Sequence, residues 1–298
     1  MEEKSPNKYL QALEQSQVTT DDAKVKNEVE KLLAEHVDEN RSVDIYKFLL
    51  NCIDLTTLSS EDSEKSVAAF TQKVNDFDNN YPMYKNVAAI CVYANFAEVV
   101  RGALEVSDVN LAVCSANFPS SQARLEVKTV ETALAVADGA NEVDIVLNLG
   151  YFLEGAYEEL CDEISEIKNS AKDARLKVIL ETGALKTAEK IRNASILSMY
   201  SGADFIKTST GKIYPGASVE AAYVMCKCIK EYHDKHGIMI GFKASGGVRT
   251  TEDALQYYTI VKEVLGDAWL TNEYFRIGAS SLANNLFVDI VGDDVRPF

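Results

Sequence analysis

Four ionisable residues interrupt otherwise apolar runs: Asp144 in EVDIVLN (142–148), Glu181 in KVILET (177–182), Lys207 in DFIKTST (204–210) and Lys243 in MIGFKAS (239–245). A strand covered on both faces reads as a near-continuous apolar run, so a charge inside one is paired or has a chemical task. Lys207 and Lys243 fall on consecutive predicted strands. Neighbouring strands lie about 5 Å apart, which lets the two ammonium groups approach closely. One cation depresses the pKa of the other, and a partly desolvated lysine beside a second cation keeps a neutral fraction near physiological pH. A neutral amine is the group that attacks a carbonyl to form an imine. Asp144, two strands earlier, adds a carboxylate for proton relay and charge balance. Without chemistry, the same residues read as a buried Lys–Asp–Lys charge cluster.

These residues need a frame that brings strand ends together. From Cys52 onward, short β-branched runs alternate with longer amphipathic stretches, as βα units around a parallel sheet do. The runs are CIDL (52–55), VAAICVY (87–93), VNLAVCS (109–115), EVDIVLN, KVILET, DFIKTST, MIGFKAS and FRIGAS (275–280). Eight is the number that closes a barrel. Helical stretches at Glu126 to Asp138, Glu154 to Ala171, Thr187 to Ser201 and Ser218 to His233 lie between them. The expected fold is an α/β, (β/α)8 TIM barrel over 51–298 with an N-terminal helical extension over 1–50. Within the extension, helices are predicted near Asp22 to His36 and Ser42 to Asn51, with Thr20 and Asp21 as N-cap candidates. A flavodoxin-like doubly wound sheet also begins from alternating elements, but it has fewer strands and gathers ligand groups at one switch point. Here polar residues end many strands, which favours a site collected at the C-terminal mouth of a barrel.

The loops after the last two strands carry a second signal. Gly246 and Gly247 follow the Lys243 strand, Thr250 and Thr251 can cap the next helix, and Ser280 and Ser281 end strand eight. Glycines let backbone N–H groups approach a ligand and hydroxyls add donors, at the place where this fold often binds phosphate. In isolation a Gly-Gly pair reads as an ordinary turn. Histidine informs by its scarcity. Of the three, His36 lies in the extension, and His233 and His236 precede strand seven at the end opposite the mouth. All three are expected at the solvated surface, so an imine route stands ahead of a metal-dependent one, and no metal or cofactor is expected.

Composition sets the outer bounds. A chain of 298 residues, 47% hydrophobic and 26% charged, holds enough apolar material for one large core. Thirty basic against 46 acidic side chains leave a net charge of −16, which repels phosphate backbones and anionic lipid, so neither nucleic acid nor membrane is an expected partner. The start MEEKSPNKYLQ lacks the basic and apolar stretches of a leader, and no apolar run is long enough to span a bilayer; a cytoplasmic protein is expected. The six cysteines include no C-x-x-C pair. Cys52, Cys91 and Cys114 sit in strand-like apolar runs, where a thiol acts as a small hydrophobe, and Cys226 and Cys228 are two apart in a predicted helix and point apart.

The segments IDLTTL (53–58), AAICVY (88–93), EVDIV (142–146), KVILETGAL (177–185), DFIKTSTGK (204–212), GFKASGGVRT (241–250) and RIGASSL (276–282) resemble the deoxyribose-phosphate aldolase family, in the family's order. The resemblance covers residues 50 to about 285. It implies a class I aldolase that reversibly cleaves 2-deoxy-D-ribose 5-phosphate to glyceraldehyde 3-phosphate and acetaldehyde. By the same resemblance Lys207 would be the Schiff-base lysine, Lys243 its pKa-lowering neighbour and Asp144 the acid/base carboxylate. Asp54 and Thr56 would lie near substrate hydroxyls, Cys91 in the pocket, and Thr210, Lys212, Gly246, Gly247, Ser280 and Ser281 around the phosphate. The resemblance leaves room for a homo-oligomer and a second protein partner. Three departures stand out: Ala244 and Ser245 where the family reads GFKPAGG, ANFPSS (116–121) in place of a Phe-Pro-x-Gly segment, and a DDVRPF end. Loss of the proline frees a backbone φ, which predicts a looser Lys243 loop. The competing readings are an imine-forming aldolase of altered acceptor preference and a weakened aldolase acting as a protein-binding scaffold.

Overall fold

β-Branched and small apolar residues build eight short parallel strands in the computed structural model of the protein, which describes residues 8–298. They are β1 (Ile53–Thr56), β2 (Ala89–Tyr93), β3 (Asn110–Cys114), β4 (Glu142–Val146), β5 (Arg175–Ile179), β6 (Phe205–Lys207), β7 (Gly241–Ser245) and β8 (Phe275–Ala279). Each pairs with its chain neighbours and β8 pairs with β1, so the expected (β/α)8 barrel closes in sequence order. The first seven residues, MEEKSPN, where the sequence predicts no leader, lie outside the described residues. One strand differs in a way that matters. β5 starts at Arg175 and ends at Ile179, which puts Lys177 in mid-strand and Glu181 in the loop beyond.

Helices form the outer layer. Leu125–Ala137, Ala188–Tyr200 and Val219–His236 match the predicted stretches closely. The predicted helix from Glu154 to Ala171 runs Tyr157–Ala171, and a short helix the sequence did not predict, Leu149–Glu154, precedes it; Gly155, at φ 78°, ends that first helix in the left-handed conformation. Branched and aromatic side chains of the helices meet the outward faces of the strands in one continuous apolar core.

The described part of the extension folds as α1 (Lys8–Gln15), α2 (Asp22–His36) and α3 (Val43–Leu50). Asp21 is the N-cap of α2, its Oδ1 accepting from Lys24 N at 3.0 Å, and Ser42 caps α3. Helix α1 was not legible in the sequence because its apolar stripe is short; Tyr9 and Ala12 are its buried residues. These two, with Val25, Val29, Leu49 and Leu50, enter the same apolar core as the barrel.

Among the described residues no helix is long and apolar enough to cross a membrane. His236 is exposed as expected, whereas His36 and His233 are half-buried. His36 sits between Glu39 and Glu263, at 3.4 and 3.9 Å. The His233 ring meets Trp269 edge-on, and this aromatic contact draws it from solvent and leaves its Nδ1 without a hydrogen-bond partner among the described residues.

Candidate active site

Strand alternation turns Glu142 and Asp144 of β4 to one face. The register then sets Asp144 beside Lys177, Lys207 beside Lys243, and Lys243 beside Arg276. With Asp54 of β1, these side chains fill the barrel interior, none more than 3% exposed. Asp144 is the hub. Its Oδ2 accepts from Lys207 Nζ and Lys243 Nζ, each at 2.7 Å, and its Oδ1 accepts from Lys177 Nζ at 2.9 Å. Lys243 also donates to Asp54, whose Oδ1 accepts from Arg276 at 2.7 Å. Lys177 and Arg276 both pair with Glu142, at 2.5 and 2.8 Å.

Four cations thus face three carboxylates, one positive charge in excess. Burial by itself would push the three carboxyls up. Lys177, Lys207 and Lys243 around Asp144 overcome it and hold that group well below the usual carboxylate range. Lys243 and Arg276 do the same for Asp54, and Lys177 and Arg276 for Glu142. For Lys243, burial opposes the charge, but Asp144 and Asp54 outweigh it and hold the ammonium well above the usual lysine range. Lys243 is therefore the fixed cation of the lysine pair.

Lys207 differs from the other three cations. It has one ion-pair partner among the described residues, and its side chain reaches the wall of a cavity of about 410 Å³. The cavity opens at the C-terminal ends of the strands, between the β1 loop (56–59), the β6 loop (210–212), the β7 loop (245–249) and the end of β8 (278–281). Lys212 Nζ reaches across it to donate to the Leu58 carbonyl. Gly246 and Gly247 take φ of 87° and 85°, and the Ser281 hydroxyl does not cap its helix, Leu282–Val291. Beside Gly246, backbones pack directly on each other. A Cβ on Gly216 would lie 2.1 Å from the Gly246 carbonyl oxygen, and one on Gly183 would lie 2.3 Å from that of Pro215.

Of the residues singled out from the sequence, Lys207, Thr56, Thr210, Lys212, Gly246, Gly247, Ser280 and Ser281 line the cavity, and Asp144 and Lys243 lie beneath it, touching Lys207 or its carboxylate partner. Asp54 and Cys91 are not on the wall. The Asp54 oxygens are taken by Lys243 and Arg276, and Cys91 packs with Leu58, Ala89, Ala112 and Cys114, its Sγ 4.0 Å from that of Cys114. The Cys114 contact draws the Cys91 thiol below the usual range. Thr210 lines the cavity, but its hydroxyl proton is committed to Glu181 Oε2 at 2.6 Å, so it is no free donor for a ligand. Glu181 stands apart from the charged cluster.

At the Ala244–Ser245 departure the loop is tied by side-chain hydrogen bonds. Ser245 Oγ donates to Ser209 O at 2.6 Å, its N–H donates to Thr208 Oγ1 at 2.9 Å, and its carbonyl accepts from Thr208 Oγ1 at 3.0 Å, so side-chain hydrogen bonds replace the ring constraint. The ANFPSS segment contains a cis Phe118–Pro119 bond and sets Phe118 against Tyr93. The tail docks on the barrel: Phe298 stacks on Phe77 and exchanges two hydrogen bonds with the Asn284 side chain.

Sequence reasoning missed Glu142, Lys177 and Arg276, which stand at or near the starts of their runs, where a charge ordinarily faces water. Period-two spacing from Asp144 was the signal for Glu142. Arg249, on the cavity wall, was missed as well. Among the described residues, two groups bring metal-binding atoms within 4.8 Å of one another: Cys91, Cys114 and Asp144, and His36, Glu39 and Glu263. Three ammonium groups already surround the Asp144 carboxylate, which makes that corner hostile to a further cation.

Residues 48–287 match the DeoC/LacD family aldolase model. The chain is 40% identical to the human deoxyribose-phosphate aldolase over 250 residues, covering 78% of this chain and 77% of the relative. It is 39% identical to the mouse deoxyribose-phosphate aldolase over 250 residues, with the same coverage. Among solved structures, the tetrameric deoxyribose phosphate aldolase of Aeropyrum pernix superposes with a TM-score of 0.67 at 26% identity, covering 87% of this chain and 96% of that one.

Proposed function

From the premise that this chain belongs to the DeoC/LacD aldolase family, we propose that it cleaves 2-deoxy-D-ribose 5-phosphate reversibly to D-glyceraldehyde 3-phosphate and acetaldehyde through a Schiff base on Lys207. The observation that carries the reading is the position of the Lys207 amine: on the cavity wall, 2.7 Å from the Asp144 carboxylate that Lys243 also engages.

Lys207 attacks the aldehyde carbon of the open-chain sugar as the free amine, after its ammonium proton has passed to solvent, and loss of water gives an iminium ion. Removal of the proton from the C3 hydroxyl breaks the C2–C3 bond. The bonding electrons pass into the iminium, leaving an enamine on Lys207 and an aldehyde on the departing three-carbon fragment. Protonation of the enamine at C2 and hydrolysis return acetaldehyde and the free lysine. Asp144, held ionised, orients the amine and balances the iminium charge; Lys243 supplies a fixed positive charge beside it. The hydroxyl proton moves towards the Asp144–Lys243 pair.

Lys212, Arg249, the Gly246–Gly247 backbone and the Ser280–Ser281 end of β8 suit the phosphate. All six cysteines are free and buried, in keeping with a reducing, cytoplasmic setting. A homo-oligomer is in keeping with the tetrameric relative, and light scattering after size exclusion tests it. No observation favours a scaffold role. The test of the reaction is borohydride reduction with deoxyribose 5-phosphate followed by intact-protein mass spectrometry. A substrate-dependent adduct on wild type that is lost in Lys207→Ala is expected; wild type without an adduct, beside a competent control, sinks the reading.

A further inference from the structure

Glu181 is a carboxylate only 2% exposed, and the reaction above makes no use of it. It follows β5 with φ 56° and ψ 58°, a left-handed conformation that non-glycine residues adopt at a cost and that points to function when the surroundings enforce it. Both of its oxygens face one residue. Oε1 accepts from Thr210 N at 3.2 Å, and Oε2 accepts from Thr210 Oγ1 at 2.6 Å. The Thr210 hydroxyl, its proton so engaged, accepts in turn from Lys212 N at 3.2 Å. Gly211 between them takes φ 72°, completing a tight turn. That turn directs the Lys212 side chain across the cavity to the Leu58 carbonyl.

The neighbouring contacts hold the same segment from other sides. Thr182 N donates to Thr208 O at 2.9 Å, and Gly211 packs against Gly246. Glu181 is thus the buried anchor of the β6 loop, and Lys212 is the cation that this loop aims at the cavity.

We infer that Glu181 is a positioning residue whose carboxylate, through Thr210, sets the Lys212 turn and so gives the site its preference for a phosphorylated substrate over the same sugar without phosphate. The inference rests on the reading of the cavity as an aldolase site with an anion-binding end. Glu181 itself touches neither the sugar nor Lys207.

The test compares Glu181→Ala with wild type on 2-deoxyribose 5-phosphate and on unphosphorylated 2-deoxyribose. The KM for the phosphorylated sugar is expected to rise about tenfold, one to two charge-assisted hydrogen bonds' worth of lost alignment. Its kcat and the kcat/KM for 2-deoxyribose stay within about twofold of wild type, because Lys207 and Asp144 are undisturbed. Adding Lys212→Ala to Glu181→Ala should cost little more than Lys212→Ala alone, since both act through one side chain. Equal losses on both sugars, or an unchanged preference for the phosphorylated one, overturn the inference. Glu181→Gln, which keeps one acceptor for Thr210 at nearly the same volume, gives the same comparison if the alanine variant does not fold; an intermediate loss of preference is expected. Borohydride trapping of wild type with acetaldehyde, which carries no phosphate, separates the two ideas. Without an adduct the aldolase reading fails; with one, the two-sugar comparison judges Glu181 alone.

Discussion

The helix layer and the barrel interior each bury lysine completely, and they do so differently. Lys128, between helices Leu125–Ala137 and Tyr157–Ala171, donates to Glu163 at 2.6 Å and to the Ser121 hydroxyl at 2.9 Å. One cation meets one anion, and none of these residues lines the cavity. In the interior, four cations share three carboxylates, and one of the cations reaches a cavity. Burial of a lysine is common to both regions. Excess charge together with access to a ligand is what marks the second as a place for reaction.

The largest expected effect separates the two regions outright. Lys207→Met, close in volume, should lower deoxyribose 5-phosphate turnover by about 10⁴-fold or more, as removal of a nucleophile does. The melting temperature should move little, because the substitution removes the surplus cation. A variant that keeps more than a tenth of the activity in a coupled glyceraldehyde 3-phosphate assay would erase the distinction.

Asp144→Asn comes next, because it strikes both properties. Three ammonium groups lose their shared anion, so destabilisation of about 3–5 kcal/mol by urea titration and a rate loss of about 10²–10⁴-fold are expected together. Stability loss with normal turnover would move Asp144 into the same structural class as Glu163.

Lys128→Met should cost about 3–5 kcal/mol, roughly a 10 °C fall in melting temperature, by leaving Glu163 buried and unpaired, with kcat and KM unaltered. Lys128→Met combined with Glu163→Leu should recover most of that loss. If turnover also fell in the single variant, the helix-layer pair would have to reach the active site.

The smallest effect concerns pH. Asp54, Glu142 and Asp144 are held below their unfolded-chain values, so their contribution is present above about pH 4 and is lost as pH falls through the folded values. Lys177 and Lys243 are raised, and their contribution is present below about pH 10 and lost above it. Urea midpoints should therefore form a plateau between those limits with a steep acid limb, and Asp144→Asn should make that limb shallower.

How much of this was legible follows from position. The eight strands announced themselves because each is an apolar run bounded by polar residues, and Asp144, Lys207 and Lys243 stood out as charges inside such runs. Glu142, Lys177 and Arg276 did not, since a charge at the start of a run looks like the edge of an element; for Lys177 and Arg276 it is the barrel register that shows that they point inward. Asp54 and Cys91 were placed in the pocket by resemblance, but a linear motif does not say how deep along a strand a side chain ends. Thr210 looked like a ligand donor until its hydroxyl was seen bound to Glu181, twenty-nine residues away. Ser245 looked like a weakness because the hydrogen bonds that hold it arise from Thr208 and Ser209, after the neighbouring strand β6 and more than thirty residues away.

Gly246 on the cavity wall packs backbone to backbone on Gly216, and Gly183 packs the same way on Pro215, so the two sides of the mouth are unlike. On that side the chain meets itself backbone to backbone, so a side chain added at Gly183 or Gly216 would have to displace a carbonyl group. Elsewhere on the cavity wall Ser59, Ser280 and Ser281 are exposed, and side chains there have room to vary. Variation that retunes which aldehyde is accepted has room there, while the glycine side admits almost none.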